Sequence, residues 1–228
     1  MVYKRIKMFI NVNEVKEIIH NQIQAALWEC CHPNFATLVS DHRNYGMLID
    51  VIFEDATAYS NKDPASRACL FSILQGYTSF KATLHYRIAN FIYKQIDVEE
   101  KHHFSILISN RGKILSGAEL HYKSDIGRSF ILDHGFGTVI GETSIVGNHC
   151  YFLGGVVLGA TGIANNPLAR RHPKIGNNVE IGAFSRLFGN IEIGNDVFIG
   201  PHCVVAEDIP NGCKVIKKST NQVVKQIL

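Results

Sequence analysis

Ile175, Ile181, Leu187, Ile193, Ile199 and Val205 each stand six residues after the last, an interval at which neither an α-helix nor an ordinary β-strand repeats. Ile140, Val146, Phe152 and Leu158 form a second run at the same spacing, and glycine follows an aliphatic residue at 127, 141, 147, 159, 176, 182, 194 and 200. This is the hexapeptide signature of a parallel β-helix. Each unit supplies one short flat strand and one turn of a triangular coil, with the aliphatic side chain pointing into a narrow interior. Glycine after it either relieves crowding or permits a positive φ at the turn. Stacked coils pair their strands above and below, burying together what one unit could not bury alone. The period leaves the hand of the coil open.

Ahead of the repeat the periodicity is helical. Apolar residues at 15, 18, 19, 23, 26 and 27 predict an amphipathic helix from Val15 to Leu27, with Asn11 or Asn13 as N-cap. Further helices are expected over Tyr45–Tyr59 and Ala65–Lys94, Pro64 sitting where a first helical turn tolerates it. The chain therefore reads as an α+β protein, with an α-helical domain over 1–112 and a β-helix over 113–228.

With 46% hydrophobic residues in 228, the chain can bury a real core. Its 23 basic and 20 acidic residues are mixed along the sequence, so no basic stripe points to nucleic acid. The six cysteines form no CxxC pair or regular framework, which suits free thiols in a reducing cytosol. The first twenty residues break into Asn, Glu and Lys without the apolar core of a signal peptide, and no 18-residue apolar run offers a membrane span. A cytoplasmic location is expected.

The repeat slips at two places. Leu132 to Ile140 is eight residues, and between Leu158 and Ile175 lies ATGIANNPLARRHPK, too polar for a coil interior. These irregular places hold Asp133-His134, in LDHGFGTVIGET, and Arg171-His172-Pro173, in RRHPKIG. Followed through VVLGATG and IGAFSRLFGNIEIG, this text is similar to the serine acetyltransferases of the hexapeptide-repeat acyltransferase superfamily. KDPASR at 62–67 and FKATLHYRI at 80–88 resemble the helical domain of that family, and the resemblance covers residues 55–210.

The resemblance implies a left-handed, trimeric β-helix with active sites between neighbouring coils, transferring the acetyl group of acetyl-CoA to the hydroxyl of L-serine. Such a hydroxyl needs a base, and histidine has a pKa near the working pH, so His134 is the expected general base. Its second ring nitrogen needs an acceptor. Where the family has Asp in a DIHPAAxIG-like segment, this chain has Glu119, which keeps the carboxylate and adds a methylene. By the same resemblance Arg171 holds the acceptor's carboxylate, Asp63 and Asp133 accept from its ammonium, and His172 serves the substrate side. Asp63, standing before a proline, equally fits a helix start. The pantetheine arm is expected against backbone amides at Gly159, Ala160, Thr161, Gly162 and Ala183, with Lys214, Lys217 and Lys218 either near CoA phosphates or simply solvated.

No metal is expected: His134, His149, His172 and His202 form no spaced pair on one coil. Glu119 and the excursion from Ile163 to Arg170 keep a second reading open, a related O-acyltransferase acting on another small acceptor. Pairing of trimers into hexamers through the helical segment is what the resemblance implies. Family members often end in a tail whose terminal Ile docks into a sulfhydrylase; this sequence ends Ile227-Leu228 without a long tail, and that partner is left open.

Overall fold

The structure, a computed structural model, describes residues 11–218. Within them, α1 (Val12–Cys30), α2 (Pro33–Ser40), α3 (Tyr45–Lys62), α4 (Leu70–Gly76), α5 (Thr78–Gln95) and α6 (Lys101–Ser116) precede the strands. These are β1 (Glu119–Leu120), β2 (Asp125–Ile126), β3 (Ile131–Leu132), β4 (Val139–Ile140), β5 (Ile145–Val146), β6 (Tyr151–Phe152), β7 (Val157–Gly159) and β8 (Lys174–Ile175). They continue with β9 (Glu180–Ile181), β10 (Arg186–Phe188), β11 (Glu192–Ile193), β12 (Phe198–Ile199), β13 (Val204–Val205) and β14 (Lys214–Val215). The sequence ends, including Ile227-Leu228, lie outside the described residues.

Asn11 caps α1 through a full capping box with Glu14, and the helix buries Val15, Ile19, Ile23, Ala26 and Leu27 along one stripe. The single helix expected over Ala65–Lys94 is broken. Pro64–Ser66 form a 3-10 turn, Arg67 and Ala68 take left-handed φ of 52° and 55°, and α4 and α5 follow separately. Apolar periodicity carries no record of those two backbone angles. Helix α6 also runs past residue 112, to Ser116, and ends on Gly117 at φ 71°.

The strands wind into a coil of three parallel sheets, ordered β1-β4-β7-β10-β13, β2-β5-β8-β11 and β3-β6-β9-β12-β14. Register aligns the six-residue repeat into columns: Leu120, Ile140, Leu158, Leu187 and Val205 stack on the first face. All five are at most 4% exposed, so the aliphatic position does point inward. Strands of two or three residues are too short to persist alone; the ladder between coils holds them.

The structure decides between the two readings of the glycines. A Cβ at Gly127 would lie 2.6 Å from the Gly147 carbonyl carbon, and one at Gly147 2.5 Å from Gly176 O, so these positions relieve crowding between coils. The positive φ angles fall two residues later, mostly on side-chain-bearing residues: Ser129, His149, Asn178, Phe184, Asp196 and His202.

Helical segment and coil are locked together. The buried Arg87–Asp55 pair bonds at 2.8 Å, Arg87 also donates to the Ile126 and Gly127 carbonyls, and Asp55 accepts from Phe130 N–H at 2.9 Å. Tyr86 donates to Ser124 O and accepts from Ile126 N–H. Thus the Tyr-Arg of FKATLHYRI fixes the first coil just ahead of Asp133. Removing one member of the ion pair would strand a buried charge, at a cost of about 3–5 kcal/mol. No helix among the described residues is long and apolar enough to cross a membrane.

Candidate active site

The two phase slips become two different corners of the coil. The first lies between β3 and β4, where the extra residues let the chain turn tightly: Gly135 N–H donates to Asp133 O at 2.7 Å and Phe136 N–H to His134 O at 2.8 Å. His134, Gly135 and Gly137 all have positive φ, at 60°, 67° and 75°. The φ of His134 is the one that recurs at the coil's other corners, such as His149, Phe184 and His202, while the two glycines extend the turn beyond it. Gly154 of the next coil lies over this turn, so that a Cβ there would come within 3.6 Å of His134 Cβ. The outcome is an imidazole 83% exposed, its Nε2 3.9 Å from Asp133 Oδ1.

This corner faces the end of α3 and the start of α5. Tyr59, Asp63, Ala65, Gly76, Tyr77, Thr78, Ser79, Asp133 and His134 line a cavity of about 410 Å³. Asp63 lines this cavity and does start the 3-10 turn: its Oδ1 accepts from Ala65 N–H at 2.8 Å, while its Oδ2 accepts from Tyr77 O–H at 2.6 Å. Asp133 accepts from Tyr59 O–H at 2.9 Å and from Tyr151 O–H at 2.8 Å.

The second corner, at the far end of the first face, holds Arg171 and His172 at the close of the excursion between β7 and β8. Thr143 organises it. Its Oγ1 accepts from Arg171 N–H at 3.0 Å and His172 N–H at 3.2 Å, leaving its own proton for His172 Nδ1 at 2.8 Å. Thr143 N–H also donates to Nδ1, at 3.2 Å. A ring nitrogen accepting in this way carries no hydrogen, so His172 is a neutral imidazole with its proton on Nε2. Burial, with Arg171 beside it, lowers its pKa accordingly. Gly141 is required here, because a Cβ would stand 2.1 Å from that Nε2. Arg171 pairs with Glu142, which also takes Lys123 Nζ at 2.9 Å; bonds from Lys123 and Arg171 hold the Glu142 carboxyl down to about 2.

One chain does not bring the expected set together. Asp63, Asp133 and His134 share the first corner; Arg171 and His172 share the second. Glu119 is bonded by Lys113, and among the described residues no hydrogen bond joins it to His134. On the donor side, Gly159 lies against the Phe188 ring and Ala160, Thr161 and Ala183 are at least partly exposed. The Gly162 amide is already engaged by Asn166 Oδ1 at 3.2 Å, so it serves the excursion's own turn. Lys214 lies 4.9 Å from the centre of the Phe198 ring, and Lys217 and Lys218 are exposed. Among the described residues no three His, Cys, Asp or Glu side chains group as a metal site would need.

Sequence reasoning passed over Glu142 and Thr143, although IGET contains both. It also passed over Tyr59, Tyr77 and Tyr151, which come from three separate segments with no shared spacing.

The comparisons agree with this architecture. Residues 172–207 match the family model described as bacterial transferase hexapeptide (six repeats). A serine acetyltransferase of Synechococcus elongatus is 38% identical over 183 residues, spanning 80% of this chain and 66% of that protein. One from Helicobacter pylori is 34% identical over 164 residues, spanning 72% of this chain and 91% of its own. Among solved structures, the Brucella abortus serine acetyltransferase in complex with coenzyme A superposes with a TM-score of 0.71 at 27% identity, covering 88% of this chain and 78% of that one. With these relatives the hand of the coil is left.

Proposed function

The chain belongs to the serine acetyltransferase family, and from that premise we propose that it transfers the acetyl group of acetyl-CoA to the hydroxyl of L-serine, giving O-acetylserine and CoA. The observation that carries this reading is the cavity in which two carboxylates and an exposed imidazole converge. The carboxylates of Asp63 and Asp133 hold the acceptor's ammonium. His134 removes the hydroxyl proton as the oxygen attacks the thioester carbonyl carbon. Collapse of the tetrahedral intermediate breaks the C–S bond, and the imidazolium returns its proton to the departing thiolate. Glu119 is the candidate for favouring the imidazolium, and Arg171 the candidate for holding the acceptor's carboxylate. His172, neutral and with a proton on Nε2, is suited to donate rather than to act as base. Gly159, Ala160, Thr161 and Ala183 remain the proposed backbone contacts of the pantetheine arm.

Geometry supports assembly as a homotrimer. The two corners stand at opposite ends of one face, four to five extended residues or roughly 13–16 Å apart. The charged groups of serine lie within about 4 Å of one another. Arg171 must therefore come from a neighbouring copy if it is to meet an acceptor held by Asp63 and Asp133. Phe184 and Phe198, 50% and 38% exposed, add apolar surface for such contacts. Light scattering at micromolar concentration should give a multiple of three chains; a stable monomer would sink the shared site. A cytoplasmic setting fits the free cysteines and the acetyl-CoA requirement. The activity itself is tested by an acceptor screen with acetyl-CoA, following thiol release. Serine should exceed every other acceptor, whereas a sugar or unrelated amine in first place would favour the second reading left open by Glu119.

A further inference from the structure

The cavity beside His134 has a feature that its two carboxylates alone do not explain: among the described residues no Lys or Arg lines it, and every side-chain hydrogen-bond donor to those carboxylates is a tyrosine. Tyr59 and Tyr151 each bond a different oxygen of Asp133, and Tyr77 bonds Asp63. The Tyr59 ring meets Tyr77 edge-on, with centroids 5.3 Å apart, and its hydroxyl lies 3.1 Å from Ser79 Oγ. An ionised carboxylate offers about four lone-pair sites. Here Asp133 has a neutral donor on each oxygen, and Asp63 has Tyr77 on one and Ala65 N–H on the other. The remaining lone pairs of both acids are fixed in direction, and among the described residues no Lys or Arg of the cavity wall neutralises them.

We propose that Tyr77, with Tyr59 and Tyr151, forms a positioning set that aims the Asp63 and Asp133 carboxylates at a primary ammonium, making the site selective for hydroxyl compounds that carry one. This rests on the serine reading and deepens it, since it names the side chains that orient the two carboxylates toward the acceptor's ammonium. Neutral hydroxyls orient a carboxylate without cancelling its charge, as a lysine would. They also stay protonated at any working pH: the bond to Asp63 pushes the Tyr77 hydroxyl up to about 12, and burial raises those of Tyr59 and Tyr151. An acceptor bearing a carboxylate and no ammonium meets uncompensated negative charge and gains nothing from the arrangement.

The test uses the full chain, as wild type, Tyr77→Phe and Tyr151→Phe, with serine as acceptor and glycerate, which has the hydroxyl and carboxylate but no ammonium, as competitor. Each phenylalanine variant should raise the KM for serine about tenfold, leaving kcat and the KM for acetyl-CoA within about twofold. The inhibition constant of glycerate should not move. An unchanged serine KM in both variants, or equal weakening of serine and glycerate, would overturn the proposal. Matching thermal melts exclude a folding defect. If the wild type fails to acetylate serine, the functional reading falls, and the tyrosines are judged by the same comparison on whichever ammonium-bearing acceptor the screen returns.

Discussion

The two corners at either end of the first face are built on opposite principles. At the second, every charge is answered: Glu142 lies between Lys123 and Arg171, and Thr143 satisfies two backbone N–H groups and a histidine ring. At the first, His134 stands 83% exposed on a left-handed backbone, beside two carboxylates whose side-chain donors are tyrosines. Self-sufficiency at one corner and unmet demand at the other fit the proposed divided site. In that proposal, a corner that presents Arg171 and His172 to another chain has to be rigid before that chain arrives. A corner that must accept an ammonium and deliver a base has to leave both unsatisfied.

The sharpest way to break the contrast is to remove the proposed base. His134→Ala should lower turnover by about two to four orders of magnitude with little change in the KM for acetyl-CoA, because base catalysis typically supplies that much. Activity near wild type would move the chemistry elsewhere. At the other corner Arg171→Lys keeps the charge and loses the planar fork, so the serine KM should rise about tenfold while that of acetyl-CoA stays put. Equal effects on both substrates would place Arg171 outside the acceptor site.

Glu119 sharpens the comparison at smaller scale. Glu119→Gln should lower kcat by less than loss of His134 does, roughly threefold to tenfold, while Glu119→Asp retains serine acetylation. Full activity in Glu119→Gln with every acceptor would remove that carboxylate from the machinery. The smallest effect concerns stability. The Glu142 pKa is depressed from the ordinary 4.5 to about 2, so its ion cluster stabilises the fold above the unfolded value and loses that contribution as pH falls through that interval. The melting-temperature gap between wild type and Glu142→Gln should therefore narrow between about pH 5 and pH 2, and a gap that widens on acidification would contradict the assigned ion pairs.

Much of this contrast was legible in the sequence, for a physical reason. A coil that admits one interior residue every six writes its architecture into the chain, and any departure, such as the eight residues from Leu132 to Ile140, shows where the backbone leaves the coil. Asp133, His134, Arg171 and His172 were visible for that reason. The division between corners was hidden because a linear motif does not say which end of a face it will occupy. The break at Arg67 and Ala68 was hidden because left-handed angles leave apolar periodicity intact. Tyr59, Tyr77 and Tyr151 were hidden because α3, the turn before α5, and β6 meet only in the folded chain.

The divided site is tested most directly by mixing subunits. His134→Ala and Arg171→Ala chains, differently tagged, are each assayed alone and then co-expressed, and assemblies carrying both tags are isolated. If His134 of one chain works with Arg171 of its neighbour, each parent should be nearly inactive, while every mixed trimer restores both residues at about one of its three sites and recovers activity in proportion. Mixed assemblies no more active than their parents would mean that both residues serve the same site from the same chain, and the shared active site would be wrong.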